Sequence, residues 1–278
     1  HDAADRVAEF NIAAAKILKD QIIKSGRKIA VAGSIGPTGE ILEPSGTLTI
    51  DQAAVAFAEQ AQALKEGGAD VLWIETISSR EEAIAAVKGA ATTGLPLVLT
   101  MSIDTNGRTM MGLTPADLIN LQADLPSPLA AVGTNCGLGA AEVVAAVVNM
   151  SDALKVSGEE AVLVAKGNCG IPEWVDGDIA YNGTPELMSR YAAMVIDAGA
   201  RIVGGCCGTT PGHVAAMRNA IDTHLANGKH AESISIEDIE SSLGSVTKGA
   251  KAQLGGDLSI EGGSQSDGAR RERRSRRR

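Results

Sequence analysis

The residues of this chain best suited to metal or thiol chemistry are three cysteines that each follow an apolar run typical of a buried strand. Cys136 follows one such run, while Cys206 and Cys207 are adjacent at the end of another. Neighbouring side chains on a regular strand point to opposite faces, so both sulfur atoms reach one ion only where the strand breaks. The glycines within residues 204–208 supply the backbone freedom for that break. We therefore predict that the strand ends at this pair.

The three sulfur atoms are predicted to converge at one end of a barrel. Cys136 lies on the third-from-last predicted strand and the Cys206-Cys207 pair on the last, and alternate strands of a barrel contribute to the same layer. Three sulfur ligands with one open position are typical of a catalytic zinc site. The alternative is that these are ordinary buried cysteines, since cysteine is among the most buried residue types.

The elements that position these cysteines alternate between strand and helix. An N-terminal helix runs to Gly26, and a helix follows each of six predicted strands, which are residues 28–35, 70–75, 97–103, 129–134, 161–165 and 201–205. Strict alternation predicts an α/β fold with a parallel sheet covered by helices. Residues 166–183 are expected to form a long loop.

Eight strand-helix units close a TIM barrel, and six do not. Because the chain begins on a helix and without Met, we expect a (β/α)8 TIM barrel whose first two β/α units are missing from this sequence. The rival is a doubly wound open sheet, which needs no missing piece. The sequence does not support this rival, because it carries no Gly-x-Gly-x-x-Gly fingerprint after a first strand. A six-stranded open sheet would expose two edges, which predicts association of copies of this chain into a homo-oligomer.

Composition divides the chain at about residue 230. Residues 1–230 are predicted to form the barrel domain, and residues 231–278 a disordered tail that ends in an Arg-rich run at 270–278. The net charge is −9 despite that basic end, so the body is acidic. An acidic body repels nucleic acid, so we do not expect nucleic acid as a partner.

The sequence carries no apolar run near the ~18 residues that a membrane-spanning helix needs, and no signal-peptide pattern at its start. Four cysteines are too few and too unevenly spaced for a secreted disulfide framework. We therefore expect a cytoplasmic protein that does not contact a membrane.

Three segments resemble the signature segments of the zinc-dependent homocysteine S-methyltransferases. They are Gly-Thr-Asn-Cys at 133–136, Lys-Gly-Asn-Cys-Gly-Ile-Pro at 166–172 and Gly-Gly-Cys-Cys-Gly-Thr-Thr-Pro at 204–211. That family includes betaine-homocysteine methyltransferase and the homocysteine domain of cobalamin-dependent methionine synthase. Residues 32–38, 74–76 and 107–112 resemble further family segments, and the similarity extends to about Leu225.

The resemblance implies a (β/α)8 barrel in which Cys136, Cys206 and Cys207 bind Zn²⁺ and the homocysteine sulfur takes the open position. A free thiol has a pKa near ~8.5, and coordination to a metal deprotonates it. The resulting thiolate would take a methyl group from an activated donor and give methionine. No catalytic residue beyond the zinc ligands is expected.

The resemblance also implies a substrate site. Glu75 matches a strand-end glutamate that holds the substrate ammonium, and Ser34, Thr100 and Asn135 are candidate substrate contacts or supports for the site. Cys169 departs from the family pattern. We interpret it as a spectator near the zinc, because a fourth thiolate would close the site to substrate.

The methyl donor that the sequence favours is betaine, because the chain looks closest to bacterial proteins of that type. Methylcobalamin, S-methylmethionine and dimethylsulfoniopropionate stay open as donors. Two other functions also stay open. One is a phosphate-binding barrel enzyme without zinc that uses residues 204–210, and the other is a non-catalytic zinc-binding scaffold whose Arg-rich tail recruits an acidic partner.

Overall fold

The computed structural model describes residues 3–104, 106–228 and 233–257 and contains a parallel sheet of six strands. The strands of this sheet are β1 (Ala32–Ile35), β2 (Val71–Ile77), β3 (Leu97–Met101), β4 (Ala131–Cys136), β5 (Leu163–Gly167) and β8 (Ala200–Gly205). Two further strands, β6 (Pro172–Val175) and β7 (Asp178–Tyr181), form a separate antiparallel hairpin.

Helices connect the strands and continue beyond the last one. They are α1 (Val7–Ser25), α2 (Ile50–Glu66), α3 (Arg80–Ala91), α4 (Pro115–Leu121), α5 (Ala140–Ser157), α6 (Pro185–Asp197), α7 (Pro211–Asn227), α8 (Ile236–Leu243) and α9 (Lys248–Leu254). Short 3₁₀ turns lie at Ala4–Arg6 and Gln122–Asp124. Each strand of the main sheet is followed by a helix, as the sequence predicts.

The strand order decides between the two predicted topologies. The main sheet runs β1-β2-β3-β4-β5-β8, which is the order of the chain. A doubly wound sheet reverses direction at a switch point, and this sheet does not. Right-handed crossovers in one direction place every connecting helix on the same face of the sheet. Among the described strands, β1 and β8 are the two ends of the sheet and are not paired with each other.

The two faces of the sheet are filled differently. The large core lies between the sheet and the helices, and it contains alternate strand residues such as Leu72, Leu99 and Val132. The opposite face carries a smaller apolar cluster, whose buried members are Val98, Ala131 and Val164. The partly buried Val71, Trp73 and Ile202 pack against it. One face covered by helices and one face filled by side chains alone is the arrangement of a barrel wall.

Local sequence signals explain where the helices begin. Thr49 and Gln52 form a capping box at the start of α2, and Thr114 and Asp117 form another at the start of α4. In each box, the threonine side chain accepts from a free backbone N–H of the first turn. These caps fix the point at which the chain leaves each loop above the sheet.

The β6-β7 hairpin corrects the prediction of a long loop over residues 166–183. Asp176 and Gly177 form its turn and both have positive φ, at 52° and 91°. Two successive left-handed residues make the tight turn that joins antiparallel strands, and Asp-Gly is a preferred pair for it.

The C-terminal segment corrects a second prediction. Residues 233–257 were expected to be disordered, but α8 and α9 pack against α5 and α6. Ile239 and Ala250 are buried there, and Gln253 Nε2 donates to the Gly107 carbonyl at 2.9 Å. A few well-placed apolar residues are enough because the body supplies the rest of the interface. The expected boundary at residue 230 and the Arg-rich end lie outside the described residues.

Across the described residues, no helix is both long enough and apolar enough to cross a membrane.

Candidate metal centre and substrate site

Three cysteine sulfur atoms meet at the carboxyl end of the sheet. The Sγ atoms of Cys136, Cys206 and Cys207 all lie within 4.8 Å of one another. Cys136 ends β4, and the other two follow β8, so β5 lies between their strands. We call these three residues the sulfur cluster. The sequence predicted the convergence from strand positions alone, and the geometry agrees with it.

The backbone turns at both strand ends to bring the sulfur atoms together. Cys136 has φ of 62° and lies in the left-handed region. On the other side, β8 ends at Gly205, so Cys206 and Cys207 lie beyond the regular strand. Of the glycines in residues 204–208, only Gly208 has a positive φ, at 76°. Gly205 is needed for a different reason, because a Cβ there would collide with the Thr209 side chain.

Asn168 links the two halves of the sulfur cluster. Its Oδ1 accepts from the Cys207 backbone N–H at 3.0 Å, and its Nδ2 donates to the Gly137 carbonyl at 2.8 Å. Asn168 follows β5, which lies between the two cysteine-bearing strands, and it is buried. This side chain therefore fixes the distance between the two segments that carry the sulfur atoms.

The Cys136 and Cys206 thiols share protons unequally. A hydrogen bond from Cys136 lowers the pKa of Cys206 to about 5. The same hydrogen bond, together with burial, raises the pKa of Cys136. Asn135 supports the Cys206 thiolate, since its Nδ2 lies 3.9 Å from that sulfur. One thiolate is therefore already favoured at neutral pH.

The sulfur cluster fits a zinc ion. Tetrahedral zinc with bonds of about 2.3 Å separates two sulfur ligands by about 3.8 Å, and the Cys136 and Cys207 sulfur atoms are 4.0 Å apart. Three cysteines fill three of four tetrahedral positions and leave one for an external ligand. That ligand count is typical of a catalytic zinc site and not of a closed structural one.

Cys169 does not belong to the sulfur cluster. Its thiol is buried and donates to the Gly183 carbonyl at 3.2 Å. Its backbone N–H donates to the Cys207 carbonyl at 2.9 Å. Burial raises the pKa of this thiol, which favours the neutral form. These contacts agree with the interpretation of Cys169 as a spectator.

A group of polar side chains lies on the face that carries the small apolar cluster, towards the carboxyl ends of the strands. Glu75, Thr100 and Lys166 each lie two residues beyond a cluster member on the same strand. We call this group the polar layer, and it consists of Ser34, Glu75, Thr100, Asn135 and Lys166. Glu75 is at its centre, because Oε1 accepts from Ser34 Oγ at 2.5 Å and Oε2 accepts from Lys166 Nζ at 2.7 Å. The sequence predicted four of the five members as substrate residues and missed Lys166.

Thr100 and Asn135 are engaged within the protein. Asn135 Oδ1 accepts from Thr100 Oγ1 at 2.7 Å and from the Thr76 backbone N–H at 2.8 Å. Asn135 Nδ2 donates to Thr76 Oγ1 at 2.8 Å. Both Thr100 and Asn135 are fully buried, so they connect the strand end at Glu75 to Cys206. Their direct contact with a substrate remains a prediction.

Tyr181 brings the β6-β7 hairpin against the sulfur cluster. Its ring packs on Gly208, where a Cβ would lie 2.5 Å from Tyr181 Cβ and Cγ. Loss of water contact and a hydrogen bond with Cys207 raise the pKa of the Tyr181 hydroxyl to about 12. Trp174, on β6 of the same hairpin, is 77% exposed. The hairpin therefore places one aromatic side chain beside the sulfur atoms and another in solvent.

Sequence reasoning missed Lys166, Asn168 and the hairpin, although each left a signal. Lys166 is a charged residue at the end of the apolar run Leu163–Ala165, in phase with the buried Val164. The hairpin had its Asp176-Gly177 pair. The only sequence signal for Asn168 is that it lies in residues 166–172, a segment that resembles a family signature. No spacing rule connects it to Cys207.

These features define a class of protein, a (β/α) barrel with a cluster of three thiols, of the kind that can hold a metal ion, at the carboxyl ends of its strands. The family profile described as homocysteine S-methyltransferase matches residues 1–221. The chain belongs to the homocysteine S-methyltransferase family.

One relative is the methionine synthase of Mycobacterium tuberculosis (strain ATCC 25618 / H37Rv), which is 30% identical over 256 residues. The match covers 87% of this chain and 20% of that protein. The chain therefore spans about a fifth of the length of this relative.

Among solved structures, the homocysteine methyltransferase MmuM from Escherichia coli has a similar fold. Its apo form gives a TM-score of 0.60 at 22% identity and covers 79% of this chain and 75% of that chain. Its metallated form gives a TM-score of 0.55 at 23% identity, with 77% and 69% covered. The fold class predicted from the sequence is confirmed by this similarity.

Proposed function

We propose that this protein transfers a methyl group from a small donor to the sulfur of homocysteine and gives methionine, with Zn²⁺ held by Cys136, Cys206 and Cys207. The observation that carries the proposal is the convergence of three sulfur atoms within 4.8 Å in a chain of this family. The name of the mycobacterial relative, methionine synthase, supports methionine as the product. The metallated form of the MmuM structure supports a bound metal.

The protein's part in this reaction is to bind and orient. Bound zinc would supply a Lewis acid that keeps the substrate sulfur deprotonated. Asn168 keeps Cys207 at its distance from the Cys136 segment, and Asn135 supports Cys206. Glu75 lies in the polar layer beside the cluster and would take the α-ammonium of homocysteine. The substrate would thus be held at both ends, which fixes the sulfur for methyl transfer.

Betaine is the donor that we propose within this class. A quaternary ammonium binds aromatic faces through cation–π contacts, and the hairpin supplies Tyr181 beside the cluster and Trp174 in solvent. Methylcobalamin, S-methylmethionine and dimethylsulfoniopropionate carry activated methyl groups too.

The test is to incubate the zinc-loaded chain with homocysteine and each donor separately and to measure methionine by mass spectrometry. Methionine formed only with betaine supports the full proposal. Methionine formed with another donor retains homocysteine methyl transfer and rejects betaine. A zinc-loaded preparation that forms no methionine with any donor contradicts the proposal.

The phosphate-site alternative has less support. At the start of α7, the Thr210 N–H already donates to His213 Nδ1 at 3.1 Å, so that donor is engaged. The segment before it carries two thiols near a third. The scaffold alternative depends on the Arg-rich tail, which lies outside the described residues. Measuring bound zinc distinguishes the proposed function from the phosphate-binding alternative, which predicts no zinc. Proton release when homocysteine is added to the zinc-loaded protein distinguishes it from the scaffold alternative, which predicts none.

A further inference from the structure

The two oxygen atoms of Glu75 already have partners before any substrate binds. Ser34 Oγ donates to Oε1 at 2.5 Å, and Lys166 Nζ donates to Oε2 at 2.7 Å. The Glu75 and Lys166 side chains are only 19% and 23% exposed. A substrate ammonium that approaches Glu75 therefore meets a carboxylate whose charge is already neutralised by Lys166.

The surroundings of Lys166 hold its side chain inside the barrel. Its ammonium lies 5.0 Å from the centroid of the Trp73 ring, within cation–π range. Its stem runs along Gly204 of the neighbouring strand, where a Cβ would lie 3.4 Å from Lys166 Cγ. The strand pairing sets Lys166 opposite Gly204. The ammonium is thus positioned between β5 and β2, in the polar layer next to the sulfur cluster.

Counting charges shows what this site can accept. The Glu75-Lys166 pair is neutral, and an amine alone would place two cations on one partly buried carboxylate. An α-amino acid carries an ammonium and a carboxylate on one carbon, so it can supply a partner to each member of the pair. The four charges then alternate in sign, and none is left without a counterion.

We propose that Lys166 binds the α-carboxylate of the substrate, and that Glu75 and Lys166 exchange their mutual ion pair for two ion pairs with one α-amino acid. The inference rests on the proposed function, because the sulfur of the same substrate has to reach the sulfur cluster. It assigns a recognition role to a residue that the motif comparison did not identify.

Three small thiol compounds test the contributions of the substrate carboxylate and the substrate ammonium independently. L-Homocysteine has both charges, 3-aminopropane-1-thiol lacks the carboxylate, and 4-sulfanylbutanoate lacks the ammonium. Binding of each to the zinc-loaded full chain is measured by isothermal titration calorimetry, which does not depend on methyl transfer. The variants are Lys166→Met, which keeps the stem over Trp73 without the charge, and Lys166→Arg, which keeps a cation. Lys155→Met, at an exposed position on α5, is the matched control for loss of a lysine charge.

We expect Lys166→Met to lower the affinity for homocysteine and for 4-sulfanylbutanoate by at least about 10-fold, since a hydrogen bond to a charged group is lost. Its affinity for 3-aminopropane-1-thiol stays the same or increases, because the competing cation is gone. Lys166→Arg keeps the preference for homocysteine over the carboxylate-free thiol, and Lys155→Met resembles the wild type.

Equal weakening of homocysteine and 3-aminopropane-1-thiol in Lys166→Met would overturn the assignment, because a merely structural role predicts it. Unchanged or tighter binding of homocysteine would overturn it too, since Lys166 would then be only a competitor for Glu75. Either result leaves the proposed function intact. A zinc-loaded wild type that binds none of the three thiols contradicts the proposed function, and the Lys166 assignment with it.

Discussion

The sulfur cluster and the polar layer lie next to each other but are stabilised in opposite ways. The three sulfur atoms lie close together, and the Cys206 thiol, whose pKa is lowered to about 5, favours the negatively charged thiolate. In the polar layer, Glu75 and Lys166 neutralise each other, and Thr100 and Asn135 satisfy each other. If zinc binds as proposed, a cation from outside completes the first region, whereas the groups of the second are already paired with one another and would have to exchange partners to bind a substrate.

This difference separates two kinds of requirement in one site. A region that needs an added ion depends on the number and distance of its ligands, so the loss of one sulfur should have a large effect. A region that is internally paired should tolerate a small polar change better, because its remaining groups keep some partners. Four substitutions test that ranking.

The largest expected effect is on zinc binding by Cys207→Ser. Removing one of three thiolates should lower the affinity for zinc by more than about 100-fold, because the loss of a residue that only supports a ligand already lowers metal affinity by about 10- to 100-fold. Competition against a chromophoric chelator measures the affinity. Cys169→Ser is the matched control and should retain zinc. Normal zinc affinity in Cys207→Ser would show that the sulfur cluster is not the metal site.

Asn168→Ala should lower the affinity for zinc by about 10- to 100-fold, although it removes no zinc ligand. The physical reason is loss of the link between Cys207 and Gly137, which sets the separation of the sulfur atoms. The same competition assay measures it, with Asn219→Ala on the exposed face of α7 as the control. If both variants bind zinc like the wild type, the backbone alone positions the sulfur atoms.

Asn135→Ala should lower the free energy of unfolding by about 2 kcal/mol, because the buried donors of Thr76 and Thr100 lose their acceptor. Urea denaturation monitored by circular dichroism measures the change. The result tests whether the polar layer contributes to stability as well as to binding. A change no larger than that of Asn219→Ala would argue against that role.

Glu75→Gln should lower the free energy of unfolding by about 1 to 2 kcal/mol, since it leaves a partly buried Lys166 without a counterion. Asp124→Asn, which breaks an ion pair whose side chains are about half exposed, should cost less than about 0.5 kcal/mol. Both are measured by urea denaturation of zinc-free protein. Equal costs would mean that burial does not distinguish the polar layer from the surface.

Much of the fold could be predicted from the sequence because its signals are local. Apolar runs marked all six strands of the main sheet, and the strict alternation indicated a helix after each of them. The strand ends were less predictable. The sequence put the end of β4 at Thr134, whereas pairing with β5 carries the strand to Cys136. Such an extension depends on a neighbour far along the chain.

The C-terminal helices show the limit of composition. A polar segment with a few apolar residues predicts disorder when it is considered alone, yet Ile239 and Ala250 meet a surface that α5 and α6 already provide. Lys166 shows a related limit within the site. A lysine at a strand end is ordinarily a solvated charge, and only the three-dimensional position of Glu75 across the barrel gives it a partner.

Cys136 sets function against stability at a single position. Its left-handed backbone, with φ of 62°, disfavours any side chain with a Cβ by about 1 kcal/mol relative to glycine. A chain selected for stability alone would carry glycine at residue 136. The thiol therefore persists at an intrinsic disadvantage, and random variation at this codon should yield proteins that fold more stably and have lost one thiol of the sulfur cluster.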